Sequence, residues 1–205
     1  MKKVGIMGGT FNPIHYGHLF LAENAMEQLN LDKVLFMPSK NPPHKKKTDL
    51  VSDTQRTDMV RLAVQGNQHF EVSTIEYERE GFTYTADTLT RLTNEHPDTE
   101  YYFIIGADSL FMMQDWHTPQ IIFNLSTILV TGRDHVQENQ LDKQLNYLKE
   151  TYGARIIIFD MPTIEISSAM IRKRIAENKT IRYYVPNEVM NYIVEHRLYE
   201  TMQED

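Results

Sequence analysis

The sequence contains no cysteine, so it can form no disulfide, no thiolate nucleophile and no thiolate metal site. It also lacks an apolar run of the roughly 20 residues that a membrane-spanning helix needs. The short apolar run after Lys2 and Lys3 is broken at once by Gly8 and Gly9, which makes it a poor signal peptide. From these absences we expect a cytoplasmic protein that has no membrane partner.

Positive charge is also scarce, because 21 Lys and Arg residues stand against 28 Asp and Glu, for a net charge of −7. A surface with this balance does not attract polyanions, so we expect no nucleic-acid partner. An anionic ligand would need a local positive site, built from Lys, Arg, His or helix N-termini. The sequence is compatible with a homodimer but contains no feature that sets the oligomeric state.

Short apolar segments alternate with longer amphipathic ones along the 205 residues. The pattern predicts strands at 4–7, 34–37, 70–75, 101–105, 128–130 and 156–159. It predicts helices at 18–30, 52–65, 86–95, 141–149, 167–177 and 187–197. This alternation indicates one α/β domain: a mostly parallel sheet, helices on both faces and a small helical C-terminal end. Ligands of such sheets bind beyond the C-terminal ends of the strands, so the loops of interest follow Met7, Met37, Ile105, Val130 and Phe159.

The loop after the first predicted strand, residues 8–19, reads GGTFNPIHYGHL. His15 and His18 are three residues apart, so they share a face in the first turn of a helix, beside free amides and the positive end of the helix dipole. Gly17 between them leaves room for a ligand. Two imidazoles in this place can donate hydrogen bonds to a phosphate in transfer. The segment is not a Walker A loop, and a zinc site would need a third ligand that the sequence nearby does not offer.

The H-Y-G-H string resembles the HxGH signature of the nucleotidyltransferase superfamily, and the whole segment resembles that of bacterial nicotinate-nucleotide adenylyltransferases. Asn12 stands where Asp is common in that family. The resemblance implies a Rossmann-like fold and the transfer of AMP from ATP to nicotinate mononucleotide, which gives nicotinate adenine dinucleotide and pyrophosphate in NAD biosynthesis. It implies Mg²⁺ carried with ATP, catalysis by both histidines, and further ATP contacts from Gly8, Gly9, Thr10 and Phe11.

A second segment, residues 166–174, reads ISSAMIRKR. Ser167 or Ser168 can cap a helix here, and Arg172 one turn later can reach an anion at the helix start. Taken alone, a surface helix with a solvated Arg172 explains the pattern better. The family closes its ATP site with a similar motif, so the resemblance implies that Ile166, Ser167, Ser168 and Arg172 contact the ATP phosphates. Ala169 replaces the Thr that is usual in the motif.

Between these two segments lie three candidate ligand contacts. Lys45 follows P-P-H in a basic loop, which is solvated in the simpler interpretation and contacts ligand in the family. Thr85 can cap the helix that follows it and present amides to an acid group of the acceptor. Gly106 and Asp108 follow a strand, and Asp108 either accepts hydrogen bonds from the ATP ribose or caps the next helix.

Two further residues belong to the acceptor side by resemblance. Trp116, the single tryptophan, lies in the polar string D-W-H-T-P, although a tryptophan more often packs in a core. In the family the matching Trp stacks on the pyridine ring of the acceptor, and the adjacent His117 can supply a donor. Arg133 in T-G-R resembles a ligand-facing Arg of the family, with a solvated side chain as the alternative.

Two other functions remain open at this point. One is a related transferase with another phosphorylated acceptor such as phosphopantetheine, against which Trp116 and residues 83–85 argue. The other is a nucleotide-sensing module without chemistry, against which the presence of both His15 and His18 argues.

Overall fold

The computed structural model describes residues 1–40, 50–131 and 138–200. Within these ranges six strands form one parallel sheet in the order β3-β2-β1-β4-β5-β6. The strands are β1 Lys2–Gly9, β2 Lys33–Pro38, β3 Phe70–Val72, β4 Thr99–Ile105, β5 Ser126–Thr131 and β6 Ile156–Phe159. Because all are parallel, their C-terminal ends meet at one edge. The strand order reverses beside β1, which is where open α/β sheets bind ligands.

Eight α-helices are seen in the described residues, together with short 3₁₀ helices at Ile75–Glu78 and Met113–Asp115. The α-helices are α1 Tyr16–Leu29, α2 Asp53–Val64, α3 Thr85–Glu95, α4 Ala107–Leu110, α5 Pro119–Leu125, α6 Glu138–Tyr152, α7 Ser168–Ala176 and α8 Asn187–Glu195. Of the described helices, none is long and apolar enough to cross a bilayer.

Helices cover both faces of the sheet, as predicted. Buried side chains of β4 alternate between two apolar clusters: Tyr102 and Ile104 belong to one, and Tyr101, Phe103 and Ile105 to the other. Since successive strand residues point to opposite faces, these clusters are the two sides of the sheet. Helices α1, α2, α7 and α8 contribute to the first cluster, and α3 to α6 contribute to the second. The predicted Rossmann-like α/β fold is therefore confirmed.

Several predicted bounds need correction. Strand β1 continues past Met7 because Gly8 and Gly9 still pair with Met37 and Pro38 of β2, so both glycines end a strand rather than form a loop. The strand predicted at 70–75 ends at Val72, and the 3₁₀ helix takes up its last residue. Helices α4 and α5 were not predicted, because segments of four and seven residues are too short to show a helical period.

The C-terminal end is part of the main core. Helix α8 packs against α2, and the turn after it folds Leu198 and Tyr199 back into the first cluster, where they are 6% and 3% exposed. This placement brings the C-terminal turn close to the loop that follows β1.

Candidate active site

The two histidines of the first segment lie at the start of α1. His15 is the N-cap residue and His18 is in the first turn, with ring centroids 3.7 Å apart. The backbone N–H of His15 donates to Nδ1 of His18 at 3.3 Å. Because Nδ1 accepts this bond, the proton of a neutral His18 lies on Nε2, where it can be donated to a ligand.

Close packing holds this pair of rings in place. A Cβ atom on Gly17 would lie 3.0 Å from Nδ1 of His15, so the space that glycine provides is used by the His15 ring. Gly17 also borders the cavity described below, which agrees with the expectation that it leaves room for a ligand. Phe11 is buried in the core and meets the His18 ring edge-on at 5.1 Å. Any contact of Phe11 with ATP would therefore come from its backbone.

Both imidazoles are neutral at pH 7. His15 is 5% exposed, and burial lowers its pKa to about 4. Burial, with a smaller contribution from His15, also lowers the pKa of His18 well below its ordinary value. The pair therefore offers neutral N–H donors and not fixed positive charge, and an arriving anion would raise both pKa values.

The histidines line a cavity of about 350 Å³ at the C-terminal edge of the sheet. It also contains four other residues that the sequence predicted for ATP binding: Gly106, Ile166, Ser167 and Ser168. Gly17, at which the sequence predicted room for a ligand, lines it as well. The rest of the lining was not predicted: Leu21, Thr131, Met161, Pro162, Thr163 and Ile164. The loop after β6 was singled out by its place in the sheet, but its M-P-T-I string contains no recognisable binding motif.

The second segment meets the first directly. Ser167 caps α7, since its Oγ accepts from the Met170 amide at 3.2 Å. Ser168 Oγ donates to the Pro13 carbonyl at 2.8 Å, and Arg172 Nη1 donates to the Asn12 carbonyl at 2.9 Å. Both groups, predicted as phosphate contacts, therefore hold the loop before His15 in this structure, and their contact with ATP stays a prediction.

The sequence did not reveal Arg56, which is fully buried in α2. Its Nη1 donates to the Thr10 carbonyl at 2.6 Å, and its Nη2 donates to the Ser39 carbonyl at 2.7 Å and pairs with Asp53. A single arginine in an amphipathic helix gives no sequence signal that it turns inward. Arg56 links the end of β1 to the end of β2. The Thr10 carbonyl to which it donates belongs to a residue that the sequence predicted to bind ATP.

On the acceptor side, the structure brings residues 84–85 and 116–117 together. The exposed His117 ring stacks on Tyr84 with centroids 4.2 Å apart. Trp116 is half-buried and meets Phe103 of β4 edge-on at 5.9 Å. Tyr84 is the N-cap of α3 and Thr85 its first residue, which corrects the prediction that Thr85 itself is the cap.

Gly8 and Asp108 are not among the residues that line the cavity. Gly8 is exposed at the end of β1, and a Cβ atom there would lie 3.7 Å from the Phe103 ring. Asp108 is exposed in the first turn of α4, for which Gly106 is the N-cap. Lys45 and Arg133 lie outside the described residues. Over the described ranges, no group of three or more His, Asp or Glu side chains could hold a metal ion.

Comparison with known proteins agrees with this geometry. The profile of the cytidylyltransferase-like family matches residues 6–174. The chain is 48% identical to a probable nicotinate-nucleotide adenylyltransferase of Lachnoclostridium phytofermentans, over 97% of this chain and 100% of that protein. It is 44% identical to the protein of the same name from Exiguobacterium sibiricum, over 97% and 100%. Among solved structures, nicotinic acid mononucleotide adenylyltransferase of Plasmodium falciparum complexed with NaAD superposes with a TM-score of 0.81 at 19% identity, over 98% of each chain.

Proposed function

The chain belongs to the cytidylyltransferase-like family and, within it, to the nicotinate-nucleotide adenylyltransferases, and we propose that it transfers the adenylyl group of ATP to nicotinate mononucleotide. The observation that supports this chemistry best is the neutral His15–His18 pair, which faces a cavity bordered by the N-terminus of α7. Nicotinate adenine dinucleotide and pyrophosphate are the products.

The reaction is a single in-line displacement. An oxygen of the acceptor phosphate forms a bond to the α-phosphorus of ATP, and the bond from that phosphorus to the bridging oxygen of the β-phosphate breaks. A phosphate is already a competent nucleophile, so no covalent intermediate and no general base are needed. Catalysis then consists of positioning and of stabilising charge on the transferred group.

His15 and His18 serve the transition state in this proposal. The Nε2–H of His18 donates to an oxygen of the α-phosphate, and His15 provides a second donor once the ligand is bound. Since burial keeps both rings neutral in the free protein, they do not attract anions indiscriminately, and their hydrogen bonds strengthen as negative charge builds up.

The other parts of ATP are assigned to the starts of two helices, α7 and α4. We assign the β- and γ-phosphates to the first-turn amides of α7, next to Ser167 and Ser168, where the helix dipole favours anions. We assign Gly106 and Asp108 to the ribose, and Gly8, Gly9 and Thr10 to backbone contacts with ATP. Mg²⁺ enters with ATP and is held by ligand oxygens and water more than by protein.

The acceptor lies beside the Tyr84–His117 stack. Trp116 stacks on the pyridine ring, while the amides at the start of α3 and the His117 ring donate to the two carboxylate oxygens. Selection of the acid follows, because a carboxamide turns its NH₂ toward one of these donors. Lys45 and Arg133 remain predicted contacts of the acceptor.

The test is pyrophosphate release from MgATP with three acceptors: nicotinate mononucleotide, nicotinamide mononucleotide and phosphopantetheine. We expect turnover with the first, far less with the second and none above background with the third. Chromatography must show the matching dinucleotide. Preferred turnover of phosphopantetheine would replace the acceptor assignment, and ATP binding without turnover of any acceptor would contradict the proposed enzyme.

A further inference from the structure

The loop between β1 and α1 is held by donors from helices α2 and α7 and from Val51, just before α2. The carbonyls of Thr10, Asn12 and Pro13 accept from Arg56, Arg172 and Ser168. The Asn12 side chain is itself 3% exposed, and its Oδ1 accepts from the Val51 amide at 3.3 Å. This loop leads directly into His15, so its position sets the start of α1.

A further donor comes from the C-terminal turn. The hydroxyl of Tyr199 donates to Asn12 Oδ1 at 3.0 Å across 187 residues of sequence. Tyr199 is 3% exposed, and burial raises the pKa of its hydroxyl, so the group is a protonated donor at neutral pH, as an ordinary tyrosine is. Its backbone has a φ of 68°, a conformation that a bulky residue adopts only where its surroundings hold it.

We propose that Tyr199 is a positioning residue for the adenylyl transfer, acting through Asn12 on the loop that places His15 and His18. The proposal rests on the proposed function, since it concerns the same site. Under this proposal the C-terminal turn contributes to catalysis by positioning the active-site loop. Tyr199 itself packs in the core cluster and is not among the residues that line the cavity.

The hydroxyl is separable from the core role of the ring. In Tyr199→Phe the ring still fills its place, and Asn12 Oδ1 keeps the Val51 amide but loses its side-chain donor. The loop before His15 then has more freedom, and small misplacements of catalytic groups lower rates steeply. We expect kcat to fall about tenfold while the KM for ATP changes less than threefold.

A matched control exists in the same region. Tyr192 on α8 also packs against the core cluster, and its hydroxyl donates to Asp58 of α2 at 3.3 Å, away from the loop. Tyr192→Phe therefore removes a tyrosine hydroxyl from a contact between the C-terminal region and α2 without touching Asn12. We expect its kcat to stay within twofold of the unmodified protein.

The decisive measurement is a double-mutant cycle in kcat with Asn12→Ala, accompanied by melting temperatures of all variants. If Tyr199 acts through Asn12, Tyr199→Phe has no further effect once Asn12 is Ala. Equal kcat for Tyr199→Phe and Tyr192→Phe, or fully additive effects in the cycle, would overturn the proposal. A failure of the proposed function would be distinguishable, because the unmodified protein would then release no pyrophosphate with nicotinate mononucleotide.

Discussion

Replacing His15 by Gln should remove a specific dependence of stability on pH. The His15 pKa is about 4 in the folded protein against an ordinary value of 6.5. At pH 7 the ring is neutral in both states, so it adds no pH dependence there. As the pH falls from about 6.5 to about 4, the unfolded chain takes up a proton that the folded protein does not, so the free energy of unfolding falls. Below about 4 both states are protonated and the loss stops.

The size of this loss of stability follows from the shift in the His15 pKa. At 1.36 kcal/mol per pKa unit, the free energy of unfolding falls by about 3 kcal/mol in total as the pH drops through the two pKa values. The lowered pKa of His18 acts in the same direction as that of His15, and the raised pKa of the half-buried Glu76 acts in the opposite direction, so the unmodified protein alone would mix three groups. The difference in unfolding free energy between it and His15→Gln cancels Glu76 and the effect of burial on His18. It leaves His15 together with its smaller contribution to the pKa of His18.

Urea unfolding at pH 7.0, 6.0, 5.0 and 4.5 measures that difference. We expect the unmodified protein to lose stability relative to His15→Gln over this series, by about 2.5 kcal/mol between pH 7.0 and 4.5. The control variant is His69→Gln, because it removes an exposed histidine and leaves His15 in place. A difference that changes by less than about 0.5 kcal/mol over the series, the scatter typical of surface changes, would refute the burial argument.

Three further predictions concern the reaction. His18→Ala should lower kcat about a hundredfold or more with a smaller effect on ATP binding, in a pyrophosphate-release assay with the exposed His196→Ala as control; near-normal turnover would contradict the central assignment. Arg172→Ala should weaken ATP more than the acceptor by isothermal titration, and equal losses would count against a phosphate contact. Nicotinate mononucleotide should exceed the nicotinamide form in kcat/KM by about a hundredfold, with Trp116→Ala weakening both alike; a ratio near one would rule out an acid-selective site.

The features best predicted from the sequence were those that depend on residues close together in the chain. Alternating apolar and amphipathic segments were enough for the parallel sheet. The helix predicted at 52–65 is found as α2, where Ser52 and Gln55 have the three-residue spacing of the capping box that starts it. His15 and His18 could be placed on one helix turn because three-residue spacing has a single geometric consequence. Their neutrality could not be predicted, since it depends on burial by residues from other elements.

The contacts that join the two signature segments were beyond sequence reasoning. Ser168 and Pro13 are 155 residues apart and Arg172 and Asn12 are 160 apart, and no periodicity relates such positions. The sequence showed a serine and an arginine near a helix start, and an anion was the natural partner to infer. In the structure each has a backbone carbonyl as its partner.

This difference changes how mutations in the second segment must be interpreted. A phosphate contact of Ser168 or Arg172 would make ATP affinity fall in Ser168→Ala or Arg172→Ala, yet either change also frees a carbonyl of the loop before His15. Loss of a direct phosphate contact lowers the affinity for ATP but leaves the affinity for the acceptor unchanged. A displaced loop lowers kcat with both substrates saturating, because the His15–His18 pair is then misplaced. The ratio of the two effects in each variant therefore measures how far the second segment binds the nucleotide and how far it shapes the first.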